Sequence, residues 1–332
     1  MATLGATYLN LVDLFKQQEG EGKVTAQIIE MLAETNQILD DMVVMPCNNG
    51  TKHLTTARTG LPAGTWRRLY QSVQPTKSEV RQVTDTTGML ESWSEVDSKL
   101  VSLSGNPGQL RLNESAAFIE GMSNDMATAI FYGNTDTDPE QFMGFSPRFN
   151  SLSAENGGQI VNAGGVGSDN TSIWFVVWGE RTCHGLYPAS ETAGLGRDDK
   201  GEVTKETTNG LYDVYREKFT WDLGMSVRDW RYVSRIANID VSLALAGSTQ
   251  LYDFMRSAYY NLQQRRITGG RAAIYCNTNM LEVLDMLSVN QGGSDSQVRL
   301  RPGELDGKEV QMYRGIPVRE CDAILNTEDL VA

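Results

Sequence analysis

FIEGMSNDMATAIFYGN, residues 118–134, predicts a long one-sided helix. At about 100° per residue, one stripe of this helix carries apolar side chains, namely Phe118, Ile119, Met122, Met126, Ala129 and Ile130. Asn113 is a good N-cap and Gly133 suits a left-handed stop, so we predict a helix over 114–132, about 28 Å long. Such a helix packs with its apolar side against the rest of the protein and presents its other side to solvent or to a neighbouring molecule.

The segment before this helix, residues 50–88, has the composition of paired strands. It contains nine threonines and alternating stretches such as KSEVRQV (77–83), and both features favour strands. LPAG (61–64) interrupts the pattern, and its proline and glycine favour a turn. We therefore predict a long two-stranded excursion from the body.

The charge of this excursion differs from that of the rest of the chain. Six basic residues face only Glu79 and Asp85, which gives +4; the whole chain carries −13, so the remainder carries −17. A basic arm on an acidic body has a natural complement in the body of another copy. The residues that we expect in this assembly interface are Arg58, Trp66, Arg67, Arg68, Tyr70, Lys77 and Arg81.

Helices and strands are mixed over the rest of the chain without a repeating β–α alternation, which indicates an α+β fold. Residues 24–42 are predicted as a helix, and the Gly/Ser/Asn-rich stretch 151–172 as a loop. The other predicted elements are a buried strand at 172–180, paired or continuous strands at 211–229, helices at 248–266 and 278–288, a strand at 272–276, and a hairpin at 308–321 around Arg314-Gly315.

Bulk composition excludes several classes of protein. The chain has 332 residues with 40% hydrophobic content, which is ordinary for a globular protein. Its net charge of −13 disfavours tight nucleic-acid binding, which needs an excess of Lys and Arg. The four cysteines are widely spaced, no signal peptide is evident, and the longest apolar run (173–178) is too short to cross a bilayer. We expect a soluble protein made in a reducing cytoplasm.

No catalytic, cofactor-binding or metal-binding motif stands out. GGVG (164–167) lacks the Lys-Ser/Thr of a phosphate loop, and NTDTD (134–138) lacks the glycine and final glutamate of a calcium loop. Cys183 and His184 are adjacent, so in a strand they point to opposite faces and form no dyad. We expect no enzyme activity, no cofactor and no metal, although 42 acidic residues leave a carboxylate-based enzyme as an alternative.

The order of these segments resembles the major capsid protein of tailed bacteriophages, which has the Hong Kong 97-type fold. It is most similar to the coat proteins of certain short-tailed phages, the Bordetella and epsilon-type phages. The stretches that carry the resemblance are TGLPAGTWRRLY (59–70), AAFIEGMSNDMATAIFYGN (116–134), PEQFMGFSPRFNSL (139–152), FTWDLGMSVRDWRYVSRIANID (219–240), GRAAIYCN (270–277) and GIPVREC (315–321).

The resemblance implies a division of the chain into five parts. These are an N-terminal arm (1–46), an extended E-loop (47–90), a peripheral P-domain with its spine helix (91–150), an axial A-domain (151–300), and a C-terminal hairpin that returns to the body (301–332). It also implies a structural protein of the virion, assembled in the host cytoplasm as pentamers and hexamers. These would tile an icosahedral shell that encloses double-stranded DNA without sequence-specific binding, each E-loop lying over a neighbouring subunit.

Two departures from the commoner members of this family refine the expectation. Only about ten residues follow GIPVREC, and SIWFVVWGERTCHGLYP (172–188) lies earlier than its counterpart, so we expect a rearranged strand order. No long acidic helical segment precedes the arm, so we expect a separate scaffolding protein. A portal protein and a decoration or cement protein are further expected partners. The alternatives are an encapsulin-like compartment shell and, less favoured, the soluble carboxylate-based enzyme.

Overall fold

The computed structural model describes residues 18–19, 24–25, 36–208, 210–247, 249–263, 270–289, 300–305 and 308–332. In chain order, the strands of these ranges are β1 Gln18–Glu19, β2 Val24–Thr25, β3 Val44–Pro46, β4 Lys52–Gly60, β5 Glu79–Asp97, β6 Ile160–Asn162, β7 Asn170–Trp178, β8 Cys183–Tyr187, β9 Leu195–Thr207, β10 Gly210–Val227, β11 Val233–Asp240, β12 Arg271–Cys276, β13 Leu300–Leu305, β14 Lys308–Tyr313 and β15 Ile316–Glu320. The helices are Ile38–Asp41, Ser98–Leu103, Pro107–Tyr132, Phe145–Arg148, Val241–Leu245, Leu251–Asn261 and Thr278–Val289, with 3-10 turns at Gly157–Gln159 and Trp230–Tyr232.

Thirteen of the described strands join in one mixed sheet, whose main path runs β13-β14-β15-β12-β7-β8-β10-β5-β4. β11 pairs with β7 and β6, β3 pairs with β8, and β9 pairs with β10. β10 connects two regions, because its last residues pair with β8 while its middle pairs with β5. The α+β class is confirmed by this arrangement. β7 and β8, built from 172–188, lie in the middle of the path; the expected rearrangement of strand order stays a prediction.

β7 is the centre of the molecule, and every one of its residues is buried. Because side chains alternate along a strand, its two faces enter different clusters. On one face, Trp174, Val176 and Trp178 pack with the C-terminal part of helix Pro107–Tyr132. On the other, Ile173, Phe175 and Val177 pack with the helices Leu251–Asn261 and Thr278–Val289. Helical layers thus cover both sides of the buried strand that the apolar run predicts.

The long helix begins seven residues before the predicted start. Asn106 is its N-cap, with Oδ1 accepting a hydrogen bond from the Gln109 amide at 3.3 Å, and Pro107 occupies the first turn. Asn113, the predicted cap, instead lies buried inside the helix and accepts a hydrogen bond from Gln109 Nε2 at 2.7 Å. The predicted start was wrong because an Asn-Pro pair is the stronger signal, since proline has no amide hydrogen to leave unpaired. The helix has 26 residues and is therefore about 39 Å long.

The buried stripe of this helix is partly as predicted. Met122, Met126 and Ile130 are buried, whereas Ile119 is 36% exposed. Phe118 is half-buried and stacks on Phe219, with ring centroids 5.8 Å apart. The prediction that Ile119 belongs to the buried stripe was wrong.

The helix ends at Gly133 for a reason other than the predicted left-handed stop. The φ of Gly133 is −51°, which any residue can adopt, so the predicted left-handed conformation was wrong. Glycine is required here because a larger residue has no room: a Cβ would lie 2.5 Å from the carbonyl oxygen of Phe142 and 2.6 Å from that of Ala129. Glycine at this position lets the chain after the helix fold back against the last turn.

Three other predictions change in the structure. Within the predicted helix 24–42, Val24–Thr25 form a strand that pairs with Gln18–Glu19, because β-branched residues favour strands; Ile38–Asp41 are helical, and 26–35 lie outside the described residues. The predicted loop 151–172 contains β6, which pairs in parallel with β11. The predicted helix 248–266 is observed over Leu251–Asn261. The five-part division stays a prediction, and β5 runs without a break across its boundary at residue 90.

Candidate assembly interface

β4 and β5 form the two-stranded excursion that the threonine-rich segment predicts. They pair antiparallel from Lys52 opposite Thr86 to Gly60 opposite Glu79. The ladder ends there because Pro62 and Pro75, on the two sides of the loop, have no amide hydrogen to donate. Residues 61–78, which we call the tip, connect the two strands.

The tip has little internal structure. Its hydrogen bonds include one from the Gln71 amide to the Arg68 carbonyl oxygen at 3.2 Å and one from Thr76 Oγ1 to the Ala63 carbonyl oxygen at 3.3 Å. The predicted turn at 61–64 was wrong, since the turn falls at 69–70, where Tyr70 has a φ of 65°. A bulky residue rarely adopts this left-handed conformation.

Large apolar side chains on the tip project into solvent. Trp66 and Tyr70 are fully exposed, and Leu61 and Leu69 are at least 80% exposed. Arg67, Arg68 and Lys77 are also exposed, and the tip contains no acidic residue. A cluster of exposed aromatic, leucine and basic side chains on a projecting loop is typical of a surface that is covered by a partner.

Five of the seven predicted interface residues lie in the tip. Trp66, Arg67, Arg68, Tyr70 and Lys77 all belong to the tip. Arg58 and Arg81 lie on β4 and β5, where they are exposed but point to opposite faces of the hairpin, since their cross-strand partners are Val80 and Ala57 respectively. These two arginines are therefore part of the stem and belong to two different surfaces.

A groove runs between β5 and the long helix. It consists of two adjoining cavities of about 430 and 350 Å³, which share Leu90 and Asp125. Its floor is apolar and is formed by Met89, Leu90, Phe118, Met122, Met126 and Phe142. Met89 is 80% exposed, whereas Met122, Met126 and Phe142 are buried, so the uncovered apolar surface of the groove is centred on Met89.

The rim of the groove is acidic. Asp125, Asp138 and Glu140 line it and form no ion pair within the described part of the chain, and no Lys or Arg is among the described lining residues. Glu91, also on the rim, pairs with Lys218 at 2.7 Å and accepts a hydrogen bond from Trp93 Nε1 at 2.7 Å. Both hydrogen bonds lower the pKa of Glu91, so it is ionised at neutral pH. The groove therefore presents negative charge around an apolar floor.

Sequence reasoning missed this groove. The helix pattern identifies Asp125 as facing away from the buried stripe, but Asp138 and Glu140 follow the helix in a turn whose position depends on the close contact at Gly133. β5 also approaches this turn closely, because a Cβ on Gly88 would lie 3.1 Å from the Glu140 carbonyl oxygen. The signal available in the sequence was the pair of glycines at these two close contacts.

No group of three or more His, Cys, Asp or Glu side chains in the described ranges is placed to hold a metal ion. No helix within those ranges is long and apolar enough to cross a membrane.

Comparison with solved structures identifies the fold. The bacteriophage Epsilon15 structure matches 100% of this chain and 99% of its own, with 38% sequence identity and a TM-score of 0.77. The bacteriophage JBD30 capsid matches 89% of this chain and 92% of its own at 9% identity, with a TM-score of 0.49. The holo-SrpI encapsulin complex from Synechococcus elongatus matches 70% and 96% at 10% identity, with a TM-score of 0.45. No curated protein matches this chain.

The fold and the full-length similarity to the Epsilon15 structure define a major capsid protein of tailed bacteriophages with the Hong Kong 97-type fold. A model of the family described as major capsid protein GP7 matches residues 19–332, and the chain belongs to this family. Its role is structural, its place is the virion, and it assembles from multiple copies of itself. The encapsulin alternative has only the weak likeness given above.

Proposed function

We propose that copies of this chain associate as pentamers and hexamers that close into an icosahedral shell around double-stranded phage DNA. The observation that carries the proposal is the tip, which leaves Trp66, Tyr70 and two leucines uncovered on the single chain. Covering an apolar surface of this kind removes it from water and is favourable, so such a cluster indicates a surface that a partner covers. A shell made of many copies supplies such a partner at every position, and weak contacts suffice because they are repeated.

The partner surface that we propose for the tip is the acidic groove of a neighbouring copy. The tip carries three basic residues and no acidic one, while the rim of the groove carries Asp125, Asp138 and Glu140. The aromatic rings and leucines of the tip match the apolar floor, and the charges match the rim. Complementary charges of this kind set orientation and rate more than affinity.

The five parts of the chain keep their proposed roles. Residues 1–46 act as the N-terminal arm, 47–90 as the E-loop, 91–150 as the P-domain, 151–300 as the A-domain, and 301–332 as the returning hairpin. The acidic body holds DNA by enclosure rather than by sequence-specific contacts, since its net charge repels phosphate. The chain has no enzymatic role. A separate scaffolding protein, a portal and a decoration protein are the partners that complete the particle.

Charge reversal in the tip tests the pairing with the groove. The double variant Arg67→Glu, Arg68→Glu keeps the fold, because both side chains are exposed, but is expected to lose stable shells. The matched control Arg67→Lys, Arg68→Lys retains the charge and is expected to assemble. Sedimentation velocity and negative-stain imaging measure the fraction of protein in shells, and circular dichroism checks the fold.

A second pair of variants tests the role of the groove in assembly separately from that of the tip. Asp125→Lys with Glu140→Lys is expected to abolish shells when combined with the wild-type tip, and to recover assembly when combined with Arg67→Glu, Arg68→Glu. Normal shells from the tip variant would refute the role of the tip. Loss of shells without recovery in the combined variant would refute the groove as its partner.

A further inference from the structure

The chain has two histidines, and the structure brings them into contact. The rings of His53 and His184 meet edge to face, with centroids 5.4 Å apart and planes at 82°. His53 lies on β4 and is 7% exposed, while His184 lies on β8 and is fully buried. The contact therefore joins the stem of the projecting hairpin to the central sheet.

The surroundings of this pair are polar but poorly hydrogen-bonded. None of the four ring nitrogens has a hydrogen-bond partner among the described residues, and the same is true of Asp85 Oδ2, Thr55 Oγ1 and Ser226 Oγ. Asp85 lies opposite His53 in the β4–β5 ladder, and Ser226 lies opposite His184 in the β8–β10 ladder. These side chains make the junction between the hairpin and the central sheet polar, although both histidines are buried.

The charges around the pair favour its neutral form. Burial is the largest cause that lowers the pKa of each histidine, and Arg228 adds to it. Burial, His53 and Arg228 together lower the pKa of His184 to about 4, although Asp85 and the Gly179 backbone act in the opposite direction. One oxygen of Asp85 is already held by Arg148 at 2.8 Å.

Two buried thiols belong to the same part of the described structure: Cys183 precedes His184 in β8, and the Cys47 amide donates a hydrogen bond to the Tyr187 carbonyl oxygen at 2.9 Å. Burial raises the pKa of both Cys47 and Cys183, so neither supplies a negative charge at neutral or acidic pH. Among the described residues, Asp85 is the carboxylate that raises the pKa of both histidines, and it is shared with Arg148. Two imidazolium ions at this junction would repel each other without full compensation.

The junction is also where the hairpin is held. β4 is the last strand on the main path of the described sheet and pairs there with β5 alone, while the segment before it is joined to the body by the β3–β8 pairing and by a hydrogen bond from the Ala189 amide to the Gly50 carbonyl oxygen at 3.2 Å. The His53–His184 contact and the Asp85–Arg148 ion pair add side-chain contacts that hold β4 and β5 themselves against the body. Arg148 is itself anchored by hydrogen bonds to the carbonyl oxygens of Met143 and Met225, both at 3.2 Å.

We propose that the His53–His184 contact is an acid-sensitive latch, which holds the hairpin against the body while both rings are neutral and releases it when they are protonated. The latch is a property of a single copy, so it holds whether or not the tip binds the groove of a neighbour. Through this contact, pH would control whether the projecting hairpin is held against the body, in addition to the structural role of the chain.

The sign of the effect follows from proton linkage. A released histidine titrates near pH 6.5, whereas the latched pair titrates at lower pH, so the released state binds more protons in between. The latch is therefore fully effective above about pH 6.5 and weakens as the pH falls toward 4. Each pH unit in this window favours release by about tenfold for each histidine that stays neutral in the latched state.

Hydrogen–deuterium exchange on the full chain tests the latch. After correction for intrinsic exchange rates, amides of β4 and of residues 79–88 are expected to exchange at least about tenfold faster at pH 5.5 than at pH 7.5. Amides of β7 and β12, in the core, serve as the internal reference and are expected to stay protected. Unchanged protection of β4 between the two pH values would overturn the proposal.

Two further measurements distinguish titration of the histidines from other effects of acid. The variant His53→Phe, His184→Phe preserves the ring contact but removes the titration, so its β4 protection is expected not to depend on pH. If acid exposes the β4 amides of this variant as it does those of the wild-type chain, the effect comes from carboxylates and the proposal is wrong. If the variant does not fold, exchange of the imidazole C2 hydrogens in the wild-type chain reports both pKa values directly, and values at or above 6.5 would also overturn it.

Discussion

At the scale of single residues, the fold depends on a few buried charged side chains that connect several elements and on glycines beside which a Cβ cannot be accommodated. Arg235 and Glu328 form an ion pair at 2.9 Å, and both side chains are almost fully buried. Glu328 also accepts hydrogen bonds from Ser172 and Tyr132, which lie on β7 and the long helix. One carboxylate from the last residues of the chain therefore connects three elements of the body.

Gly133 yields a testable prediction at this scale. Gly133→Ala is expected to reduce the free energy of unfolding by about 1–3 kcal/mol, because the new Cβ would overlap two carbonyl oxygens. Gly121→Ala, in the same helix, is the matched control: nothing lies within 4 Å of its Cβ position, so helix propensity alone acts and stability should rise by up to about 1 kcal/mol. Urea unfolding of the dissociated subunits measures both. Equal effects of the two substitutions would contradict the packing explanation.

At the scale of elements, the hairpin β4–β5 separates into a stem and a tip with different roles. The stem is held by its ladder, by Asp85–Arg148 and by Glu95, which pairs with Arg216 at 2.7 Å and with Lys205. The tip has few hydrogen bonds and exposes its largest side chains. The stem thus belongs to the subunit fold, whereas the tip contributes surface for a partner.

Replacing the tip tests this separation. Gly60 lies opposite Glu79, so Asn-Gly in place of residues 61–78 closes a two-residue hairpin on the existing ladder. We expect the free energy of unfolding to stay unchanged or to rise by up to about 2 kcal/mol, since the closed loop becomes shorter. Shell formation, measured by sedimentation velocity, is expected to be lost. Shells of normal size from the shortened chain would show that the tip is dispensable.

At the scale of the whole molecule, charge is distributed unevenly. The chain carries −13 in total, while residues 61–78 carry three positive charges and no negative one. Like-charged bodies repel, and only the orientation that places a tip near an acidic groove is attractive. The asymmetry therefore favours one relative arrangement of two copies over the others.

Salt dependence of assembly tests this arrangement. Raising the ionic strength from 0.05 to 0.5 M is expected to slow the initial association of wild-type subunits by about tenfold, since the Debye length falls below about 5 Å. Light scattering follows the rate. The Arg67→Lys, Arg68→Lys variant should show the same dependence. A wild-type rate that rises with salt would indicate that repulsion between the bodies, rather than attraction by the tip, controls association.

The sequence by itself determined the α+β class, the buried strand at 172–180 and the two-stranded hairpin, because periodicity, threonine content and turn residues within each segment indicate these elements, whereas the turn of the hairpin falls at 69–70 and not at the predicted 61–64. Only the tertiary structure decided the acidic groove and the contact of His53 with His184. These features join residues far apart in the chain: the two histidines lie on strands whose spacing depends on how the hairpin packs against the sheet. Local patterns contain no information about such distances, because the distances follow from the packing of all the elements together.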